Sequence, residues 1–314
     1  MPAQMPTFSR DQVEKYFARI RLPSKYQKFD VAQDSNADAL AFLSVLQKYH
    51  LSEVPFENLS IHYSPHRHVS IHADELYKKI VESDGRGGYC MENNRIFGIL
   101  LKSLGFKLYS AGARVNEGHG YTGWGHMINL VSIGEDKYMV DVGFGPNGAL
   151  QPLKLDRSGL EYPHITPGSI RLSWRSIKEN TDPDQRLWIY EHRINDNVDF
   201  GEVYCFSELE FLPCDYAVMN YHTSTGAESF FTHVIICAKH VLGGDDDEEI
   251  VGAVIIHKNG LKWRMLGKNE REQTFETEAD RLKALEDVFR IKLSPAERDG
   301  IRARVTEIRS SMDF

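Results

Sequence analysis

Residues 86–94 read Arg86-Gly87-Gly88-Tyr89-Cys90-Met91-Glu92-Asn93-Asn94, and they mark a place where a turn runs into a helix. Glycines can adopt backbone angles that other residues avoid, which favours a turn at the Gly-Gly pair. Gly105, farther along, stands where helices commonly end. Between the two points, apolar residues recur every three or four positions, which places them on one helix face: Ile96, Ile99, Leu100 and Leu104. The pattern predicts a helix of about fifteen residues that begins at or near Cys90.

The position of Cys90 at a helix start bears on its chemistry. Backbone N–H groups in the first turn lack partners within the helix, and the helix dipole is positive there. Both effects favour the negatively charged thiolate, which is the nucleophilic form of cysteine. On position alone, a small buried cysteine at a helix start is an equally good interpretation.

A hairpin is predicted downstream of this helix. Residues 124–131 and 137–142 both have the composition of strands, and Gly134-Glu135-Asp136 between them has turn chemistry. His126 lies near the start of the first strand and Asp141 near the end of the second. They are fifteen positions apart, an odd number, so in a regular hairpin they face the same side of the sheet.

The turn sets the distance between these two side chains. A turn centred on Gly134 and Glu135 pairs His126 with Gly143, which leaves Asp141 on the diagonal, about 7 Å away between Cα atoms. An earlier turn or a bulge brings Asp141 opposite His126 instead, and the sequence does not fix which register forms. A carboxylate at either position can reach an imidazole. A histidine oriented by an aspartate, with a cysteine at a helix start, is the arrangement of thiol nucleophiles. The alternative is a core histidine bound to a backbone carbonyl, beside an unrelated aspartate near the turn.

Four stretches together resemble the arylamine N-acetyltransferase family. Residues 86–94 match its RGGxCxExN signature, and 140–145, Val-Asp-Val-Gly-Phe-Gly, match its aspartate segment. Residues 16–20 resemble its YxxRI segment, and Pro55-Phe56-Glu57-Asn58-Leu59 matches its PFENL segment. The resemblance runs from about residue 10 to the C-terminus and weakens after residue 150. It implies a catalytic triad of Cys90, His126 and Asp141.

The resemblance also implies an α+β fold of the cysteine protease and transglutaminase type. The expected parts are a helical domain at 1–105 that carries the cysteine, an antiparallel β-barrel at 106–208 that carries His126 and Asp141, and a connecting helix with an α/β lid at 209–314. The residue pattern agrees, because helical spacing dominates up to about residue 104 and strand patterns follow. We expect strands at 231–238, 251–258 and 261–266, and a closing helix at 282–291.

The implied activity is transfer of an acetyl or related acyl group, such as malonyl, from acyl-CoA to an arylamine, arylhydrazine or arylhydroxylamine, as in xenobiotic metabolism. Acyl-CoA is then a co-substrate, and no permanently bound cofactor or metal is expected. The family match assigns Phe144 to the acceptor pocket, although ordinary core packing would also explain it. Residues expected to contact CoA are Thr122, Gly125, Thr223, Ser224 and Ser229. Gly226 stands where the family usually has proline, which changes this loop.

Two other functional classes are compatible with the same residues. A hydrolase, either a cysteine peptidase or a transglutaminase-like enzyme, would use the same three side chains. A non-catalytic protein that binds CoA or aromatic ligands would not need all three of them. Arg86 and Glu92, which flank Cys90, are expected to form structural ion pairs or hydrogen bonds rather than to take part in the chemistry.

Composition narrows the remaining possibilities. The formal net charge of −8 argues against a general nucleic-acid binder. We expect no signal peptide and no membrane span, and hence a cytoplasmic protein. Four cysteines without metal-type spacing indicate free thiols, of which we expect Cys90 to be the reactive one. Histidines 62, 66, 68 and 72 crowd one loop, but their spacing matches no metal site. The sequence leaves the oligomeric state open.

Overall fold

The structure, a computed structural model, describes residues 5–83, 85–244 and 248–309. The helices are α1 Arg10–Arg19, α2 Asn36–Glu53, α3 Leu59–His62, α4 Ala73–Leu76, α5 Cys90–Ser103, α6 Pro213–Thr225, α7 Phe230–His233, α8 Glu278–Phe289 and α9 Pro295–Gly300, with a 3-10 turn at Ser24–Tyr26 and a π-turn at Tyr77–Val81. The strands are β1 Phe56–Glu57, β2 Lys107–Val115, β3 His126–Ile133, β4 Asp136–Val140, β5 Leu153–Lys154, β6 Glu161–Pro163, β7 Ser169–Arg175, β8 Leu187–Arg193, β9 Gly201–Glu210, β10 Ile236–Gly243, β11 Glu249–His257, β12 Gly260–Met265 and β13 Lys268–Thr274.

The N-terminal region is helical, as predicted. Helix α1 begins with a capping box, in which the Ser9 side chain accepts from the Gln12 N–H and the Gln12 side chain accepts from the Ser9 N–H. Helix α2 begins at a second serine cap, Ser35. Both helices pack their apolar faces against α5 in one large core, which fixes the position of the α5 N-terminus.

An antiparallel sheet of eight strands follows, in the order β5-β4-β3-β2-β9-β8-β7-β6. Its two edge strands approach each other: the backbone N–H of Lys154 donates to the Tyr162 hydroxyl at 3.2 Å. The Gln151 side chain also donates to the carbonyl of Pro163 at 3.4 Å. The sheet therefore forms a nearly closed barrel, as predicted for the middle of the chain.

A second sheet has the order β1-β10-β11-β12-β13 and packs against α8. Its edge strand β1 comes from the N-terminal region, so residues far apart in the sequence pair there, Phe56 with Ala238 and Glu57 with Cys237. The prediction of a strand over 231–238 is wrong in its first half, because α7 occupies Phe230–His233 and β10 begins only at Ile236. The domain boundaries at 105/106 and 208/209 stay predictions.

Strand β13 was not predicted. All of its residues are exposed, so it lacks the alternation of apolar and polar residues that marks a half-buried strand. It forms by pairing with β12 along its whole length. Among the described residues, no helix combines the length and the apolar character needed to cross a membrane.

Candidate active site

Cys90 is the first residue of α5, as predicted, and its side chain is buried. The preceding glycines are needed for close packing and not for unusual backbone angles, because neither has a positive φ. A Cβ on Gly87 would lie 1.9 Å from the Pro55 carbonyl oxygen, and one on Gly88 would lie 2.5 Å from the Glu92 Cβ. Only glycine lets the chain pass through this space, and the helix start is thereby fixed.

Strands β3 and β4 hold His126 and Asp141 in one of the two expected registers. Ile133 pairs with Asp136 and Asn129 with Val140, which is the pairing of a turn at Gly134-Glu135. Strand β4 ends at Val140, two residues earlier than predicted, so Asp141 lies just beyond the sheet. The His126 Nε2 and Asp141 Oδ2 atoms are 2.8 Å apart.

Both members of this pair are buried, and each stabilises the charge of the other. Burial alone lowers the pKa of His126, but the Asp141 carboxylate and the contact with Cys90 outweigh it and raise that pKa to about 10. Burial alone raises the pKa of Asp141, but His126 and hydrogen bonds from Asn94 and the Gly143 N–H lower it overall. The pair therefore keeps a positively charged imidazole inside the protein, next to Cys90.

Asn94 was not predicted as a site residue, although the structure places it at the centre of the site. Its Nδ2 donates to Asp141 Oδ1 at 2.8 Å and to the Met127 carbonyl at 2.6 Å. Its Oδ1 accepts from the Val142 N–H at 2.9 Å. The signal was present in the sequence, because Asn94 lies four positions after Cys90 and so shares a helix face with it.

A buried network of charges supports the segment that precedes Cys90. Arg86 Nε donates to Glu57 Oε1 at 3.0 Å, and Lys79 Nζ donates to Glu92 Oε1 at 2.7 Å. Glu92 also accepts from the Tyr89 N–H at 3.1 Å. Arg86 and Glu92 therefore have structural partners, as expected, but each binds a different residue.

Arg19, in the YxxRI segment at residues 16–20, also holds the segment that precedes Cys90. Arg19 donates to three backbone carbonyls, those of Ile80, Glu53 and Arg86, at 2.8, 2.8 and 2.9 Å. One guanidinium thus ties together α2, the π-turn and the segment leading to Cys90. Guanidinium is suited to this task because its several N–H donors have a fixed geometry.

Cys90 and His126 open into a cavity of about 500 Å³. Aromatic side chains form one part of its wall, and Phe144 among them lies with its ring 5.3 Å from that of His126. Polar loop residues form the mouth. The lining residues are Phe56, Cys90, Val115, Glu117, Thr122, Gly123, Trp124, Gly125, His126, Gly143, Phe144, His222, Thr223, Glu228, Ser229, Phe230, Phe231 and Ile236.

Most of the residues expected to contact CoA line this cavity, namely Thr122, Gly125, Thr223 and Ser229. Ser224 does not: its hydroxyl is buried in α6 and donates to the Asn220 carbonyl at 2.7 Å. No group of three or more potential metal-binding side chains occurs among the residues that the structure describes. The roles of all these residues in catalysis and binding stay predictions.

Comparison with known proteins identifies the family. A family described as N-acetyltransferase matches residues 39–298. An arylamine N-acetyltransferase of Gallus gallus, the pineal gland isozyme NAT-10, is 31% identical over 74% of this chain and 79% of its own. The chain belongs to the arylamine N-acetyltransferase family. An N-malonyltransferase of Fusarium pseudograminearum is a further relative, 35% identical over 94% of this chain and 93% of its own.

Solved structures of arylamine N-acetyltransferases have the same fold. The enzyme from Mycobacterium abscessus superposes with a TM-score of 0.77 at 23% identity, covering 94% of this chain and 95% of that one. The enzyme from Nocardia farcinica gives 0.74 at 25% identity, covering 92% of each chain. The predicted family and α+β fold are confirmed, and the protein is an acyltransferase.

Proposed function

We propose that the protein transfers a short acyl group from acyl-CoA to a small aromatic amine, hydrazine or hydroxylamine through an acyl-cysteine at Cys90. The observation that carries this proposal is the His126–Asp141 pair, which lies next to the helix-start residue Cys90 in the wall of a cavity of about 500 Å³. Cys90 is the nucleophile, His126 the acid and base, and Asp141 the group that orients and charges His126.

The cycle has two steps. In the first, the Cys90 thiolate attacks the thioester carbonyl carbon, the bond from carbon to the CoA sulfur breaks, and the CoA thiol leaves with a proton from His126. In the second, the amine nitrogen attacks the new thioester and gives a proton to His126, and the Cys90 thiolate is expelled. Each step breaks one acyl–sulfur bond and forms one new bond to the acyl carbon, from sulfur in the first step and from nitrogen in the second. No external oxidant or reductant is therefore needed. The Cys90 N–H in the first helical turn is positioned to donate to the oxyanion.

The cavity wall supports the acceptor class. Phe56, Trp124, Phe144 and Phe231 offer aromatic surface beside Cys90, on which an aryl ring can stack. Phe144 also packs against Tyr204 and His126, at ring distances of 5.1 and 5.3 Å, so its position is coupled to that of the base. We assign Phe144 to the acceptor pocket on this ground.

The mouth of the cavity supports CoA binding. Thr122, Gly125, Thr223 and Ser229 supply hydroxyl and backbone groups for the amide-containing arm of CoA. A Mycobacterium marinum arylamine N-acetyltransferase was solved in complex with CoA, which adds support for the co-substrate. A cysteine of this reactivity also requires a reducing compartment, so we propose a cytoplasmic enzyme that can act on xenobiotic amines.

Relatives named N-malonyltransferase and arylamine N-acetyltransferase support malonyl-CoA and acetyl-CoA, respectively, as donors. A malonyl group carries an extra carboxylate. Arg114 is not among the lining residues and lies over the Trp124 ring at 4.2 Å. The basic side chains among the lining residues are those of His126 and His222. We therefore assign the malonyl carboxylate to His222.

The substitution His222→Gln tests this assignment. We expect it to lower kcat/KM for malonyl-CoA about tenfold, because a hydrogen bond to the malonyl carboxylate is lost. The same variant should keep its kcat/KM for acetyl-CoA, which makes acetyl-CoA the internal control. Equal losses for both donors would show that His222 contacts a part of CoA that the donors share.

Acyl transfer itself is tested by following free CoA thiol with acetyl-CoA or malonyl-CoA in the presence and absence of an aniline. Release should depend on the amine, and Cys90→Ala should lower it at least about a thousandfold because the nucleophile is gone. Cys214→Ala is the matched control, since Cys214 is an exposed free thiol outside the cavity lining. Peptide cleavage without CoA, or a rate of thiol release that is the same with and without the amine, would instead identify a hydrolase.

A further inference from the structure

A second, smaller cavity lies where the barrel meets the C-terminal sheet. Its volume is about 100 Å³, and it is bounded by His164 and His192 from the barrel, Arg264 from β12 and the loop at Pro146 and Asn147. It shares no lining residue with the cavity at Cys90. Polar groups surround enough space for several waters, or for one small polyatomic ion with water.

The ionisable side chains around this cavity are all basic. The groups that face it are His164 from the turn between β6 and β7, His192 from β8 and Arg264 from β12, with His240 of β10 behind Pro146. None of the residues that line it is an aspartate or a glutamate. Arg264 forms no salt bridge with any residue within the described ranges. Arg264 is partly buried and therefore presents a permanent positive charge to the cavity, with no carboxylate among the lining residues and with two neutral histidines beside it.

Burial and the neighbouring basic groups lower the pKa values of the two histidines. The His164 and His192 rings are 4.6 Å apart, edge to face. Burial lowers the pKa of His164 to about 3, and repulsion from His192, His240 and Arg264 adds to the effect. Burial and Arg264 likewise lower the pKa of His192.

We propose that this cavity binds a small oxyanion such as inorganic phosphate or sulfate. Arg264 would supply the permanent charge, and His164 and His192 would take up protons as the anion enters, because a negative charge between them reverses the repulsion. A metal cation is a poor occupant beside an unpaired guanidinium. The ligand class follows from the guanidinium, whose N–H groups match the oxygens of phosphate and sulfate.

The cavity has a structural route to the active site. His164 Nε2 binds the Gly148 carbonyl at 3.0 Å, and the Tyr190 hydroxyl donates to the Asn147 carbonyl at 2.9 Å. Gly148 lies directly against Phe144, since a Cβ on it would be 3.1 Å from the Phe144 Cβ. An anion held between Arg264 and His164 would therefore be linked through Gly148 to the loop that carries Phe144.

The test uses thermal unfolding and titration calorimetry of the full chain with inorganic phosphate at constant ionic strength, balanced with chloride. We expect phosphate at ten times its Kd to raise the Tm of the wild type by about 2 °C. Arg264→Gln should weaken phosphate binding at least about tenfold, and His192→Asn should weaken it as an independent check. Lys262→Gln is the matched control, because it removes a charge two residues away on the same strand.

Two further measurements distinguish the alternatives. Sulfate keeps the same charge at pH 6 and pH 8, so sulfate should bind several-fold tighter at pH 6, because the histidines must gain protons; equal affinity for sulfate at the two pH values would remove them from the site. CoA should stabilise the wild type and Arg264→Gln alike. The proposal is overturned if phosphate binds both proteins equally or neither. It is also overturned if only CoA, and not phosphate, depends on Arg264, since the cavity would then hold a CoA phosphate.

Discussion

His126 and His164 are both buried histidines of the same barrel, 2% and 7% exposed, yet their protonation is opposite. The pKa of His126 is raised to about 10, whereas that of His164 is lowered to about 3. Burial lowers both values, so burial does not explain the difference. His126 has a carboxylate at 2.8 Å, whereas His164 has a backbone carbonyl at 3.0 Å and basic neighbours.

This contrast shows what makes one of these histidines suitable for acid and base chemistry. A histidine without a carboxylate partner becomes neutral when it is buried, and it then serves as a hydrogen-bonding core residue. One buried aspartate reverses the balance and keeps an imidazolium inside the protein. The alternative interpretation of His126, a core histidine bound to a carbonyl, describes His164 and not His126.

The substitution Asp141→Asn should make His126 resemble His164, which is neutral in the fold. We expect kcat/KM to fall about a thousandfold to ten-thousandfold, because the amide loses the charge and can hold the wrong histidine tautomer. Steady-state kinetics with acetyl-CoA and an aniline measures the loss, and circular dichroism confirms that the variant is folded. A folded variant with near-normal kcat would show that Asp141 only shapes the chain after β4.

Asn94→Ala should have a smaller effect in the same direction. Asp141 loses one of its donors and is held less firmly, so kcat/KM should fall about tenfold to a hundredfold. The alkaline limb of the pH profile should also move to lower pH, because a weakened Asp141 supports less charge on His126. Asn93→Ala is the matched control: Asn93 is equally buried but donates to the Pro55 carbonyl, so it should cost stability without moving the profile.

The free energy of unfolding should depend on pH through the same pair, His126 and Asp141. The pKa of His126 is above its unfolded value of about 6.5, so its contribution is complete below pH 6.5 and is lost as pH rises toward 10. The pKa of Asp141 is lowered, so its contribution is present above about pH 4 and is lost in acid. The difference in unfolding free energy between wild type and Asp141→Asn should therefore be largest near pH 5 to 6.

Urea unfolding at pH 5.5, 7.5 and 9.5 measures this difference. It should shrink by up to about 1.4 kcal/mol per pH unit on the alkaline side. His164→Gln provides the comparison, because a histidine that is already neutral in the fold should show no loss of stabilisation toward pH 9.5. If the difference in unfolding free energy between wild type and Asp141→Asn is constant from pH 5.5 to 9.5, the charges of His126 and Asp141 do not stabilise each other.

The smallest expected effect concerns the rates at which the cysteine thiols react with iodoacetamide. Cys90 should react with iodoacetamide at pH 7 at least about tenfold faster than Cys214, and acyl-CoA should protect only Cys90. Cys214 is an exposed free thiol, which the sequence did not indicate, and it should label slowly. Burial raises the pKa of Cys205 to about 12 and also raises that of Cys237, so neither should label in the native protein. Mass spectrometry of the peptides would expose equal labelling or absent protection, either of which contradicts an acyl-cysteine at Cys90.

Tertiary structure decided the features that depend on distant parts of the chain. Strand β1 exists because Phe56 and Glu57 pair with a strand about 180 residues later, and α7 replaces a predicted strand next to it. The role of Asn94 depends on where α5 meets β3, and the packing role of Gly87 depends on the Pro55 carbonyl. The basic cluster at Arg264 joins side chains from β8 and β12 that no sequence pattern links.

The sequence by itself determined what local rules control. The start of α5 at Cys90 follows from helix periodicity, and the two-residue period of strands places His126 and Asp141 on the same side of a hairpin. Their exact register, with the turn at Gly134-Glu135, was settled only in the folded chain. The motifs were also enough to give the family. The sequence could not give the charge on each histidine, because that charge depends on the group within about 3 Å in the folded chain.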